Sequence, residues 1–173
     1  MPLLNTLATP YAEALLQVTN ARNESEDVAT QCKELIALWD SSESLRDAMT
    51  SPVLEPTAKK KALEQLLSQQ IQPSLLNLLK VLADRHRLTA FDSVLGRYLE
   101  LYRESRNISL ANVRSAQALT DTQKAALTTK VQSMVGSGSV EIDLTIDPSL
   151  IGGFVINVGS QVIDASLSGQ VRR

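Results

Sequence analysis

The stretch DPSLIGGFVINVGSQVIDAS, Asp147 to Ser166, sets Gly152, Gly153 and Gly159 among apolar residues. Glycines in such a run either cradle a phosphate with backbone N–H groups or let a strand turn. A Walker loop needs GxxxxGK followed by Ser or Thr, so that the lysine reaches the phosphates. Here Phe154 follows Gly153, and no lysine occurs after Lys130. A dinucleotide loop needs a strand before its glycines and a helix after them. Here the strand-like run FVINV comes after. Gly152 and Gly153 therefore read as the lead-in to a strand, and Gly159 as a turn.

The other reactive side chains are scattered. The single histidine stands in DRHR, where Asp84 and His86 are two apart and point to different helix faces. With one histidine and one distant cysteine, no metal-ligand set forms. Cys32 has no partner for an internal disulfide and stands near Leu35, Ile36 and Trp39 in a helical pattern, as buried filler. Glu141 and Asp143 share a strand face, ~6–7 Å apart, a spacing that alone would suit acid–base work. Asp147 and Asp164 add carboxylates, but nothing nearby suggests a cleft that would raise a pKa. No GxSxG elbow occurs. The chain reads as chemically empty: no catalytic residue, cofactor site or metal site is expected.

Charge excludes more. Up to Asn107 there are 12 basic and 14 acidic side chains, and beyond it 5 of each, for a formal net charge of -2. Neither part has the positive field that holds nucleic acid. Lys59-Lys60-Lys61, the densest basic run, reads as a solvated helix face. Arg85, Arg87 and Arg97 read as exposed and locally paired. No apolar run approaches the ~20 residues of a membrane span, so any membrane link is expected to go through a partner. The start, MPLLNTLATPYAEALL, has no basic n-region and holds Glu13, unlike a secretory leader.

The elements follow from period. Up to about Asn107 it is helical. Tyr11, Ala14, Leu15 and Val18 share one face of a first helix, which begins near Asn5 or at Thr9-Pro10. A second helix spans about Glu24 to Ser42, with Val28, Cys32, Leu35, Ile36 and Trp39 on one side. A short piece covers Leu45 to Met49. Pro56 and Pro73 open two more, with Ala62, Leu63, Leu66 and Leu67, then Leu75, Leu76, Leu79 and Leu82, on their apolar faces. A longer helix aligns Phe91, Val94, Leu95, Tyr98 and Tyr102. Helices with one apolar stripe each form a bundle.

Beyond Asn107 the period changes. ISLANVRSA alternates, with room for a shift or bulge where its faces swap. Thr120 and Gln123 have capping-box spacing ahead of a helix carrying Leu127, Val131 and Met134, with Gly136 as its C-cap. VEIDLTI places Val140, Ile142, Leu144 and Ile146 inward. GFVINV and QVIDAS read as two more strands. The expected architecture is two-domain: residues 1–107 an all-α bundle, residues 108–173 a small α/β domain of strand–helix–strand–strand–strand order.

The residues carry a resemblance over essentially the whole chain. YAEALL (Tyr11 to Leu16), SPVLEPTAKKKAL (Ser51 to Leu63), LLKVLADRHRL (Leu78 to Leu88) and above all IDPSLIGGFVINVGSQVIDASLSGQVRR (Ile146 to Arg173) resemble the delta subunit of bacterial and chloroplast F-type ATP synthase, known in mitochondria as the oligomycin-sensitivity-conferring protein. SPVLEPTAKKKAL and VRSAQALT look most like cyanobacterial and plastid versions.

The resemblance implies an N-terminal six-helix bundle that grips the N-terminal segments of alpha subunits in the catalytic head. It implies a small α/β domain that joins the b-type subunits of the peripheral stalk. It implies a stator strut that resists rotor torque, binds no nucleotide and catalyses nothing. The setting would be the cytoplasmic side of a cyanobacterial thylakoid membrane, or the stromal side in a plastid. By the match to the first and long later helices of the bundle, Tyr11, Ala14, Leu15 and Val18 are candidates for the head-binding groove, with Phe91, Leu95 and Tyr98 opposite. The same residues could instead be core. Asp147, Pro148, Leu150, Ile151, Gly152, Gly153, Phe154, Val155, Asp164 and Ser166 mark the family signature and the candidate stalk-contact domain. Arg172 and Arg173 are read as ending a helix-like tail. The alternatives are a general helical adaptor or a small phosphate-binding enzyme.

Overall fold

The computed structural model describes residues 2–136 and 138–165, the first four of them as backbone only. Ser166 and the tail through Arg172 and Arg173 lie outside the described residues. The chain divides into two compact units, Met1–Tyr102 and Arg103–Arg173. The change of period at Asn107 comes one helical turn after this division. The last turn of the long helix belongs to the second unit, where Arg103 meets Glu141.

The first unit is a six-helix bundle: α1 (Pro2–Ala21), α2 (Ser25–Ser41), α3 (Glu43–Thr50), α4 (Pro56–Leu67), α5 (Pro73–Asp84) and α6 (Phe91–Arg106), the last continuing a 3-10 turn over Leu88–Ala90. Pro10 lies inside α1, so Thr9-Pro10 does not start the helix. Ser42 serves two helices: its N–H donates to Leu38 O at the end of α2, and its Oγ accepts from Leu45 N at the start of α3. Pro56 and Pro73 each occupy the first turn of their helix, where no N–H is needed.

Two ends carry Schellman closures. Asn23 and His86 adopt positive φ (57° and 55°). The N–H of the next residue reaches back, Glu24 to Thr19 O and Arg87 to Leu82 O, both at 2.8 Å. His86 is thus the left-handed residue that ends α5.

The bundle core is aliphatic, built on Val28, Leu75, Leu79, Leu82, Val94, Leu95 and Tyr98. Trp39 stacks on Phe91 with ring centres 4.4 Å apart. The Tyr98 hydroxyl, fully buried, lies 3.0 Å from the Thr19 hydroxyl and 3.2 Å from Ser25 O. On α1 the buried residues are Ala8, Ala12, Leu15 and Thr19, while Ala14 and Val18 face solvent. Two further sequence expectations change. Leu66 is 55% exposed, on the outer side of α4. Lys59 is buried rather than solvated: its stem packs inward and Nζ donates to Ser51 O at 2.7 Å, just past the end of α3.

The second unit orders β1 (Ile108–Ser115), α7 (Asp121–Val135), β2 (Ser139–Ile146), β3 (Phe154–Val158) and β4 (Gln161–Asp164). The sheet runs β2-β1-β3-β4. β1 pairs in parallel with β2 across the α7 crossover, and antiparallel with β3. The β1–β2 register is unbroken, so the face swap needs no bulge: Ala111, Val113 and Ser115 turn inward. Leu127 and Val131 of α7 pack with Ala111, Val113 and Ile156. Thr120 and Gln123 form the reciprocal capping box, and Gly136 (φ 77°) ends α7. Val140, Ile142 and Leu144 reach this core as partly buried side chains, whereas Ile146 at the strand end is 54% exposed.

Candidate partner-binding surfaces

Side-chain hydrogen bonds pin the seam between α1 and α5 at two places. Arg22 Nη1 donates to Ser74 Oγ at 3.3 Å, and Ser74 Oγ donates to Glu24 Oε2 at 2.8 Å. At the other place, Arg87 Nη1 donates to the Tyr11 hydroxyl at 2.8 Å. The residue just past the end of α1 thus meets the start of α5, and a residue just past the end of α5 meets the middle of α1, so the two helices run antiparallel.

Tyr11, Ala14, Val18 and Arg22 follow the spacing of one helix stripe, as do Ser74, Leu78 and Val81. Between the pinned places this leaves Ala14 and Val18 on α1, and Leu78 and Val81 on α5. Val18 and Val81 are 42% and 44% exposed, Ala14 faces solvent and Leu78 is half-buried. Apolar stripes on adjacent helices make a surface that accepts the apolar face of another helix. Val81 and Leu78 were not singled out from sequence. Leu75, Leu76, Leu79 and Leu82, the face expected from the period, are buried, which leaves Leu78 and Val81 as the apolar side chains outside it.

The structure divides the candidate groove set. Tyr11, Ala14 and Val18 line the seam. Leu15, Phe91, Leu95 and Tyr98 are buried in the bundle core, at most 4% exposed.

The signature residues of the second unit form a loop and two strands. The Asp147 carboxylate accepts from Ser149 N (3.0 Å) and Ser149 Oγ (2.5 Å), and from Arg114 Nη1 (3.3 Å). The Ser149 bonds first, and the Arg114 charge after them, hold this carboxyl below the usual carboxylate range. Pro148 is exposed, Leu150 half-buried and Ile151 70% exposed. Gly152 and Gly153 take φ of 71° and 74° in succession. Two consecutive left-handed residues are a conformation for which glycine incurs no Cβ penalty. Gly153 O then accepts from Ala116 N, tying the loop to the end of β1. Phe154 is partly buried against the core and Val155 is buried, while Asp164 is exposed on the edge strand β4.

Nothing at these places brings reactive groups together. Among the described residues, no cluster of His, Cys, Asp or Glu could hold a metal ion. Burial pushes the Cys32 thiol well above its ordinary range, so it stays a thiol. Glu141 is half-buried and accepts from Arg103 through both oxygens, at 3.1 and 3.3 Å, while Asp143 is exposed. Arg97 pairs with Glu100 at 2.7 Å. Among the described residues, no helix is long and apolar enough to cross a membrane.

Known proteins resemble the chain throughout. The family model described as ATP synthase delta (OSCP) subunit matches residues 7–173. The chain is 83% identical over 173 residues to ATP synthase subunit delta of Synechococcus sp. (strain WH7803), covering 100% of the chain and 95% of that protein. It is 60% identical, with the same coverage, to the organellar chromatophore subunit delta of Paulinella chromatophora. Among solved structures it resembles a chain of the Toxoplasma gondii mitochondrial ATP synthase hexamer, with TM-score 0.76 and 21% identity, covering 96% of this chain and 94% of that one. That likeness extends the two-part fold to a distant sequence.

Proposed function

The chain belongs to the ATP synthase delta (OSCP) subunit family, and we propose that its two units divide the work of a strut between them. It is a non-catalytic component of the peripheral stalk, part of the stator. The bundle binds N-terminal segments of the alpha subunits in the catalytic head. The second unit binds the b and b′ subunits of the stalk. The complex attaches it to the membrane, on the cytoplasmic side of a cyanobacterial thylakoid or the stromal side of a plastid.

The α1–α5 seam is the observation that carries the head-binding half. A strut must hold its partner firmly and needs no reactive group. Burial of the seam's apolar side chains would contribute about 25 cal/mol per Å² before the cost of association. Because the core lies beneath it, the seam can be occupied without opening the bundle. For the stalk-binding half, the support is the exposed apolar side chains of the second unit, Ile151 and Val162, at 70% and 67%.

The test separates seam from core. Val18→Glu, in a tagged full-length chain added to detergent-solubilised complex, is expected to reduce recovery of alpha subunits about tenfold with an unchanged melting curve. Leu15→Asp is expected to unfold the bundle. Undiminished recovery of alpha subunits with Val18→Glu would remove the seam from the head interface.

A further inference from the structure

The bundle carries a second apolar surface that shares no residue with the α1–α5 seam. A cavity of ≈ 530 Å³ opens between α2, α3, α4 and the start of α6. Leu38 and Trp39 of α2, Leu45 and Met49 of α3, Leu66 of α4 and Phe91 of α6 are among its lining side chains. Its floor is the Trp39–Phe91 stack. Its two lips, Leu38 and Leu66, are 45% and 55% exposed, so each leaves large apolar area in water.

Charge around the opening restricts the occupant. Glu34 stands one turn before Leu38 on α2, and Asp47 one turn after the lining Ser44 on α3, and both are exposed. The nearby bases are engaged or turned away. Arg46 donates to the carbonyls of Trp39 and Asp40, at 2.5 and 2.8 Å. Lys59 is buried on Ser51 O, and Lys60 pairs with Asp84 at 2.7 Å. Lys33 and Lys61 each stand two positions from a lining leucine, on a different side of their helices. A rim with carboxylates, its neighbouring bases directed elsewhere, disfavours a fatty acid or other anionic amphiphile. It favours a cation beside an apolar stripe.

We propose that this groove is a docking site for a cationic amphipathic helix, whose apolar side chains enter between Leu38 and Leu66 while its lysines or arginines face Glu34 and Asp47. Large side chains at i and i+4 on one helix face suit a groove with two apolar lips. This proposal concerns a different face from the head-binding seam, and either can fail without the other.

Trp39, the chain's single tryptophan, reports the groove directly. The full-length chain is titrated with a synthetic amphipathic helix of Leu and Lys, following Trp39 emission. A saturable change is expected, with affinity at least about tenfold weaker for a Leu and Glu helix of the same pattern and for the Leu66→Gln variant. The Glu34→Gln, Asp47→Asn double variant should weaken the Leu and Lys helix and flatten its salt dependence. The proposal is overturned by no emission change, by equal affinity for the Glu-containing helix, or by full retention of affinity in Leu66→Gln. A response only to a small apolar dye, with none to the helix, would overturn it too, and make the groove a small-molecule cavity.

Discussion

Arg87 holds Tyr11 in two ways at once: Nη1 donates to the tyrosine hydroxyl at 2.8 Å, and the guanidinium carbon lies 5.8 Å from the ring centre. The Schellman turn at His86 positions Arg87 immediately after α5. Tyr11→Phe keeps the ring contact and loses the hydrogen bond, whereas Arg87→Ala loses both. Tyr11→Phe is expected to cost about 0.5–1.5 kcal/mol and Arg87→Ala more, in urea unfolding. Equal losses would mean that the ring contact contributes nothing.

Tyr98→Phe tests the buried hydroxyl pair. It removes the Tyr98 oxygen that lies between Thr19 and Ser25 O and leaves Thr19 with Leu16 O, 3.2 Å away. A loss of about 1–3 kcal/mol is expected, read as a lower urea midpoint with an unchanged slope. A second substitution, Thr19→Val, should cost less when combined with Tyr98→Phe than alone.

Thr120→Ala opens one half of the capping box of α7: the Gln123 N–H loses its side-chain acceptor, while the backbone N–H of residue 120 keeps Gln123 Oε1 as its acceptor. About 1 kcal/mol is the expected cost. Hydrogen exchange should accelerate in the first turn of α7 while the bundle helices keep their wild-type protection.

Cys32 is expected to resist a thiol-reactive dye in the native chain at pH 8 and to react fully once urea unfolds it, because burial raises its pKa and closes access. Labelling of the folded chain at the rate of a free thiol would contradict this.

Asp147 is expected to contribute to the acid decline of the second unit's stability. Its pKa is lower in the folded chain than unfolded. Its contribution is therefore complete above the ordinary carboxylate range and is lost as pH falls through the folded value. In an acid titration followed by thermal melting, Asp147→Ala should lower stability at neutral pH and make the acid decline shallower. An unchanged decline would assign it to other carboxylates.

Much of this fold is visible in the residues alone. Pro56 and Pro73 mark helix starts because proline fits the first turn, and Thr120 with Gln123 marks the start of α7. The inward side of a helix is harder to read. Tyr11, Ala14, Leu15 and Val18 share an apolar sector, yet α1 buries Ala8, Ala12 and Thr19 beside Leu15. Small residues let α1 approach its neighbours closely, and such residues give little hydrophobic signal. Lys59 misleads in the opposite sense: its charge advertises solvent, while its aliphatic stem and one carbonyl accommodate it inside. Ile146 continues the strand's alternation but sits at the strand end, outside the cluster that Leu127 and Val131 organise. At the seam, the sequence shows apolar periodicity on α1 and α5, but only three dimensions show Val18 and Val81 both left outside between two pinned places.

The placement of β1 has a consequence for how the chain is made. β1 is an interior strand, yet both its neighbours, β2 and β3, come later in the sequence. When β1 leaves the ribosome it has no partner on either edge, and it waits for α7 and β2 to emerge before its first pairing can close. The six helices, all earlier in the chain, can by then have begun to fold. Synthesis thus exposes a nascent edge that invites wrong pairing, and a pause in translation with β1 outside the exit tunnel and β2 still inside it would prolong that window.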